Sequence, residues 1–92
     1  MKVEKFKIKA CCGTFTVNFK IGAPLSKDFL PSFVGSGFTE AKHFTKAGIM
    51  YIENEGIIVT GSFGSDFLQI KCRKGDCDKF INSFEELLKQ LE

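Results

Sequence analysis

The sequence has little of what enzymes commonly use. Its single histidine, His43, has no serine or cysteine that spacing ties to it as a nucleophile. The glycine-rich stretches at 35–37 and 61–65 lack the following Lys-Ser/Thr of a phosphate-binding loop. We therefore expect a non-catalytic protein that has no cofactor.

Long apolar runs are also missing. The N-terminal segment "MKVEKFKIKA" alternates lysine with apolar residues, whereas a signal peptide needs a continuous apolar stretch. No segment approaches the roughly 20 apolar residues that a membrane-spanning helix requires. The sequence predicts a cytoplasmic protein without membrane contact.

What the sequence does have is typical of one small folded domain covering residues 1–92. Hydrophobic residues make up 43% and charged residues 26%, which argues against disorder. Eleven of the twelve aromatic residues are phenylalanine. One core buries most of these rings, but eleven are many for one sheet face and two helices.

Periodicity predicts an α+β fold. Two runs of strict alternation, 3–11 and 14–21, meet at residues 12–13 and predict a β-hairpin with Phe6, Ile8 and Phe19 pointing inward. Ser26 is a suitable N-cap, and apolar residues recur at helical spacing near the C-terminus. The predicted elements after the hairpin are a short helix at 26–34, strands at 38–45, 49–53, 57–61 and 67–73, and a helix capped by Asp76 or Asp78.

These elements assemble into a single six-stranded, mostly antiparallel sheet with the order ββ-α-ββββ-α and helices on one face. If the first helix crosses back over the sheet, the sixth strand runs parallel to the first. Both sites described next require strands 1 and 6 to be neighbours.

Four cysteines lie in two short stretches, "ACCGTF" and "CRKGDC". Cys12, Cys72 and Cys77 all fall on predicted inward positions at one end of the core, whereas Cys11 faces away. Since disulfides are rare in the cytosol, we expect buried free thiols. The alternatives are a disulfide, such as Cys72–Cys77 or Cys12–Cys72, and a metal site formed by Cys12, Cys72 and Cys77.

Positive charge is concentrated in residues 1–46, which hold eight lysines and three acidic residues. A helix-free sheet face formed by strands 1 and 6 would carry a row of basic residues beside an exposed ring. Such a face suits a nucleic acid or an acidic protein surface. The predicted partner-binding residues are Lys5, Lys7, Lys9, Lys20, Lys71, Arg73 and Phe67.

The middle strands are apolar on both sides, and a strand that is apolar on both sides needs cover on both sides. Two helices on one face leave the other face of these strands bare. We therefore expect a homodimer that packs this half of the sheet. The predicted interface residues are Ile49, Met50, Tyr51, Ile52 and Ile58.

The leading hypothesis is a small binding module that contacts an anionic partner through the basic sheet face. A thiol, metal-binding or redox protein that uses the cysteine cluster is the alternative. A third hypothesis is a structural or inhibitory subunit that acts through the apolar sheet face.

Overall fold

A computed structural model describes residues 2–9, 15–73 and 77–90, with the backbone alone for residues 7–9 and 15. The predicted turn at 12–13 and the predicted cap Asp76 lie outside these ranges. A 3-10 turn at Lys27–Phe29 leads into the first helix. The strands and helices are β1 (Val3–Lys9), β2 (Phe15–Ile21), α1 (Leu30–Gly35), β3 (Thr39–Glu40), α2 (Lys42–Lys46), β4 (Ile49–Glu53), β5 (Ile57–Ser62), β6 (Phe67–Cys72) and α3 (Asp78–Gln90).

The six strands form one sheet in the order β1-β2-β6-β5-β4-β3, and every neighbouring pair is antiparallel. The α+β class and the meander from β3 to β6 are confirmed. The predicted pairing of strands 1 and 6 is wrong, because β2 lies between β1 and β6. In the observed register Val17 pairs with Ile70 and Phe19 with Leu68, so two apolar rows pack side by side. At the corresponding positions β1 has lysines, such as Lys5, which cannot extend an apolar row.

The two faces of β1 are the reverse of those predicted. Lys5 pairs with the buried Phe19, and Phe6 pairs with Asn18 on the opposite face. Phe6 is therefore 46% exposed. The Nζ of Lys5 lies 3.3 Å from a carboxylate oxygen of Glu85 in α3, so the lysine faces the helices.

Glu85 also forms an ion pair with Lys89 at 3.3 Å, one turn further along α3. Burial alone raises the pKa of this carboxyl group, but the hydrogen bonds and charges of Lys89 and Lys5 together outweigh burial and lower the pKa. The covered face of β1 thus combines an ion pair at Lys5 with apolar packing of Val3 against the core.

The core lies between the sheet and helices α1 and α3. At its centre are four phenylalanine rings with centroids 5.5–6.5 Å apart, spacings that favour edge-to-face and tilted contacts. The four rings belong to Phe19, Phe33, Phe38 and Phe84.

Ser26 caps the 3-10 turn by accepting a hydrogen bond from the Asp28 backbone N–H at 3.2 Å, as its sequence position predicts.

Helix α2 replaces most of the strand predicted at 38–45. The Glu40 carboxylate accepts a hydrogen bond of 2.6 Å from the Thr45 hydroxyl, which stabilises the short helix, and Gly48 ends the turn with a φ of 85°. The Phe44 ring of α2 stacks on Tyr51 at 5.0 Å. Because Tyr51 points away from the core, α2 covers part of the second sheet face, and the helices are not all on one face.

A disulfide joins Cys72, at the end of β6, to Cys77, directly before α3; their Cα atoms are 5.8 Å apart, a usual separation for a disulfide. This pair was one of the alternatives, and the expectation of free thiols is wrong for these two residues. The bond attaches the N-terminus of α3 to the sheet. No helix in the described ranges is long and apolar enough to cross a membrane.

Candidate nucleic-acid interface

The sheet face opposite α1 and α3, here called the open face, consists of residues that alternate with the core along each strand. Cross-strand partners share a face, so the pairings place its residues in rows across the sheet. The central row runs Phe6, Asn18, Gln69, Thr60, Tyr51. One flanking row contains Glu4, Lys20 and Phe67, and the other contains Thr16, Lys71, Ile58 and Glu53.

The central row is polar and uncharged between its aromatic ends. Asn18 and Gln69 are direct cross-strand partners, and Gln69 in turn pairs with Thr60. Within the described ranges, the structure gives neither amide a hydrogen bond to protein. Two amide groups and one hydroxyl are therefore available to a ligand.

Two phenylalanine rings stand on this face with nearly half of their surface accessible. Phe6 is 46% exposed and Phe67 is 48% exposed. They lie two strands apart across the sheet and two residues apart along it, which corresponds to about 12 Å between their Cα atoms. The rings are therefore close enough for neighbouring parts of one extended ligand.

Two lysines share the open face with the rings, and one of them is the direct partner of Phe67. Lys20, on β2, pairs with Phe67 on one side and with Glu4 on the other. Lys71 lies further along β6, paired with Thr16. Both lysine side chains are exposed.

A shallow cavity of about 410 Å³ lies at one end of the open face. This volume falls in the range of small-molecule sites, about 300–1,000 Å³. Part of its polar lining comes from the central row and part from Ser62 and Ser65, and Phe67 and Ile49 supply apolar walls. The principal lining residues are Asn18, Thr60, Gln69, Ser62, Ile49 and Phe67.

The structure divides the predicted basic set. Lys20, Lys71 and Phe67 lie together on the open face, whereas Lys5 points to the helices. Arg73 donates to the Asn54 carbonyl oxygen at 2.7 Å and approaches Glu53 at 3.5 Å, so its guanidinium already has two partners. Lys7 and Lys9 pair with Val17 and Phe15 in the register that Lys5 begins, and their side chains lie outside the described part of the structure.

Four residues of this surface are absent from the binding residues predicted from the sequence: Phe6, Asn18, Thr60 and Gln69. Three of them were visible as polar positions that alternate with apolar ones in β2, β5 and β6. Phe6 was assigned to the core because it is apolar.

The predicted oligomer interface is divided in the same way. Met50 and Ile52 are fully buried in the core of this chain and have no surface for a partner. Tyr51 is partly covered by Phe44 of the same chain. Ile49 and Ile58 lie on the open face, and the homodimer stays a prediction.

The predicted metal site stays untested. Cys12 lies outside the described residues, and Cys72 and Cys77 are bonded to each other. A metal binds cysteine as the thiolate, so this bond has to be reduced before either sulfur can act as a ligand. Among the described residues, no group of three or more His, Cys, Asp or Glu is placed to hold a metal ion.

Comparison of the chain with protein-family models, with curated proteins and with solved structures found no match. The open face is therefore the feature of the molecule from which a function can be inferred.

Proposed function

We propose that the open face binds single-stranded nucleic acid. Bases stack on the rings of Phe6 and Phe67, and phosphates lie near Lys20 and Lys71. The observation that carries this proposal is a single sheet face with two half-exposed phenylalanine rings and a lysine between them. Aromatic platforms combined with positive charge are how proteins bind single strands of varied sequence.

Charge and polarity favour this ligand over a second copy of the chain. The centres of protein interfaces are depleted in lysine, whereas Lys20 lies between the two rings. A dimer through this face also buries Asn18 and Gln69, and each buried amide then needs new partners. A nucleic acid supplies phosphates for the lysines and polar base edges for the amides.

The exposure of the rings favours a single strand over a duplex. Stacking on a ring that stands on a sheet requires an unstacked base, and single strands offer such bases readily. An acidic protein surface provides charge for Lys20 and Lys71 but no flat partner for the rings. It therefore leaves the phenylalanines unexplained.

The first experiment measures binding of labelled oligonucleotides of about ten nucleotides by fluorescence anisotropy. We expect the affinity to fall as the salt concentration rises. If two phosphates are neutralised, the slope of log K against log salt concentration should be about −1.4 or steeper. The K20A/K71A variant should reduce this slope by about 1.4. K27A/K79A removes two exposed lysines outside the open face and serves as the matched control.

The second experiment removes the rings. F6A and F67A should each weaken binding by about five- to 150-fold, since stacking of one base contributes about 1–3 kcal/mol. V34A removes an exposed apolar side chain from α1 and should leave binding unchanged. The proposal fails if F6A and F67A bind like the unaltered chain, or if a duplex of the same sequence binds more tightly than the single strand.

A further inference from the structure

We infer that Asn18 and Gln69 select adenine among the bases that reach the open face, an inference that rests on the proposed function. The two residues are direct cross-strand partners, so their Cβ atoms are about 4.5–5.5 Å apart. Both amides start from the same face of the sheet, next to Phe67 in the cavity lining. They can therefore approach one base from its two sides.

The hydrogen-bonding groups of the amides determine the selectivity. Each amide offers one carbonyl acceptor next to one NH₂ donor. Adenine presents N1 as an acceptor, then the two hydrogens of its amino group, then N7 as an acceptor. One amide pairs with N1 and one amino hydrogen, and the other amide pairs with the second amino hydrogen and N7.

The other bases lack this pattern. Guanine presents two adjacent acceptors, O6 and N7, and so sets one amide carbonyl against a lone pair. Cytosine has an acceptor on only one side of its amino group, and thymine and uracil have none on the side of C5. The central row holds no carboxylate or cation, and the lysines of the flanking rows, Lys20 and Lys71, are assigned to phosphates.

The surroundings of the two amides also suit base recognition. Within the described ranges they have no protein hydrogen bonds to break, so pairing with a base requires no internal rearrangement. Phe67 lies on the same strand as Gln69, two residues away, and provides a ring beside the bound base. The exposed ring binds any base, and the amides distinguish adenine from the others.

The test uses an oligo(dT) host of about ten nucleotides with one central adenine, guanine or cytosine. Anisotropy with the full chain should show adenine bound more tightly than the other two by at least about fivefold, as expected for one good bidentate pair. The same series in an oligo(U) host distinguishes RNA from DNA as the source of the base. Adenine preference in either host supports the inference.

Two changes should abolish this preference. N18A/Q69A should bring binding of the adenine oligonucleotide to the level of the cytosine oligonucleotide, whereas N82A/Q90A, which alters the same residue types on the exposed side of α3, should keep the preference. Replacing the adenine by 7-deazaadenine removes the N7 acceptor without altering the protein. It should lower affinity by about fivefold or more.

The outcomes separate the two proposals. Equal binding of all bases, a preference for guanine or cytosine, or full affinity for 7-deazaadenine overturns adenine selection and leaves single-strand binding in place. If none of the oligonucleotides binds, the proposed function itself is wrong, and adenine selection is wrong with it.

Discussion

The two faces of the sheet use phenylalanine in opposite ways. On the covered face Phe19 is fully buried and packs against Phe84 of α3, whose ring also contacts Phe33 of α1. On the open face Phe6 and Phe67 are nearly half exposed. Burial of an aromatic ring stabilises the fold, while an exposed ring on a sheet offers contact area to a partner. The same residue type therefore stabilises the fold on one face and, in the function that we propose, contacts the ligand on the other.

Polar groups differ between the faces in the same sense. No polar or charged side chain within the described ranges is fully buried in the core. On the open face, amides, hydroxyls and lysines alternate with the core residues along every central strand. A face that needs no internal hydrogen bonds for folding can be altered with little effect on stability.

The largest loss of unfolding free energy is expected from a substitution in the core that the covered face packs against. F84A removes the ring that contacts Phe19, Phe33 and Phe38, and should cost about 3–5 kcal/mol of unfolding free energy. F67A should change stability by about 0.5 kcal/mol or less, because its ring is exposed. Urea denaturation followed by circular dichroism measures both. Equal losses in the two variants would contradict the distinction between the faces.

The disulfide tests how firmly α3 is attached to the covered face. It closes a loop with a sequence separation of five, for which chain entropy predicts about 2 kcal/mol of stabilisation. Reducing the protein with dithiothreitol should lower the unfolding free energy by that amount. A C11S/C12S background leaves Cys72 and Cys77 as the sole cysteines. An unchanged denaturation midpoint on reduction would show that the bond does not stabilise the fold.

Gly56, in the turn between β4 and β5, tests how tightly the edge of the core is packed. A Cβ atom on Gly56 would overlap the Phe80 ring of α3. G56A should therefore cost about 1–3 kcal/mol by displacing that ring. G35A, at a position where a Cβ meets nothing within 4 Å, is the control and should show no such loss. If the two variants melt alike, contact between a Cβ at position 56 and the Phe80 ring does not affect stability.

The smallest effect concerns the charged part of the covered face at β1. Since the pKa of Glu85 is lowered, its contribution to stability is present above the ordinary glutamate pKa and is lost as the pH falls through the lowered value. E85Q should cost about 1 kcal/mol or less at neutral pH and flatten the acid limb of the stability curve. E86Q alters an exposed neighbour and should preserve that limb. Identical pH profiles for E85Q and the unaltered chain would exclude this role.

Much of the fold was predictable because it depends on local signals. Alternation identified the hairpin and the strands β4, β5 and β6, and helical spacing identified α3. The cap at Ser26 needs only residues a few positions away. Tertiary contacts override such signals least where every local preference agrees, as it does in α3.

The candidate site was predicted only in part. Lys20, Lys71 and Phe67 were identified, because β2 and β6 have a clear apolar side that fixes their orientation. Phe6 and Lys5 were assigned to the wrong faces. β1 is an edge strand, and its Lys5 forms an ion pair with Glu85 of α3, eighty residues later in the sequence. No pattern within β1 contains that partner.

By itself, the sequence determined the period of each element and therefore which residues of a strand share a face. It did not determine which face of β1 meets the helices, or that β2 separates β1 from β6. Those choices depend on contacts between residues far apart in the chain, whose combined burial and charge pairing outweigh the local preference of one strand. The tertiary structure thus decided that Phe6 lies beside Asn18 and Gln69, on the face that we propose binds nucleic acid.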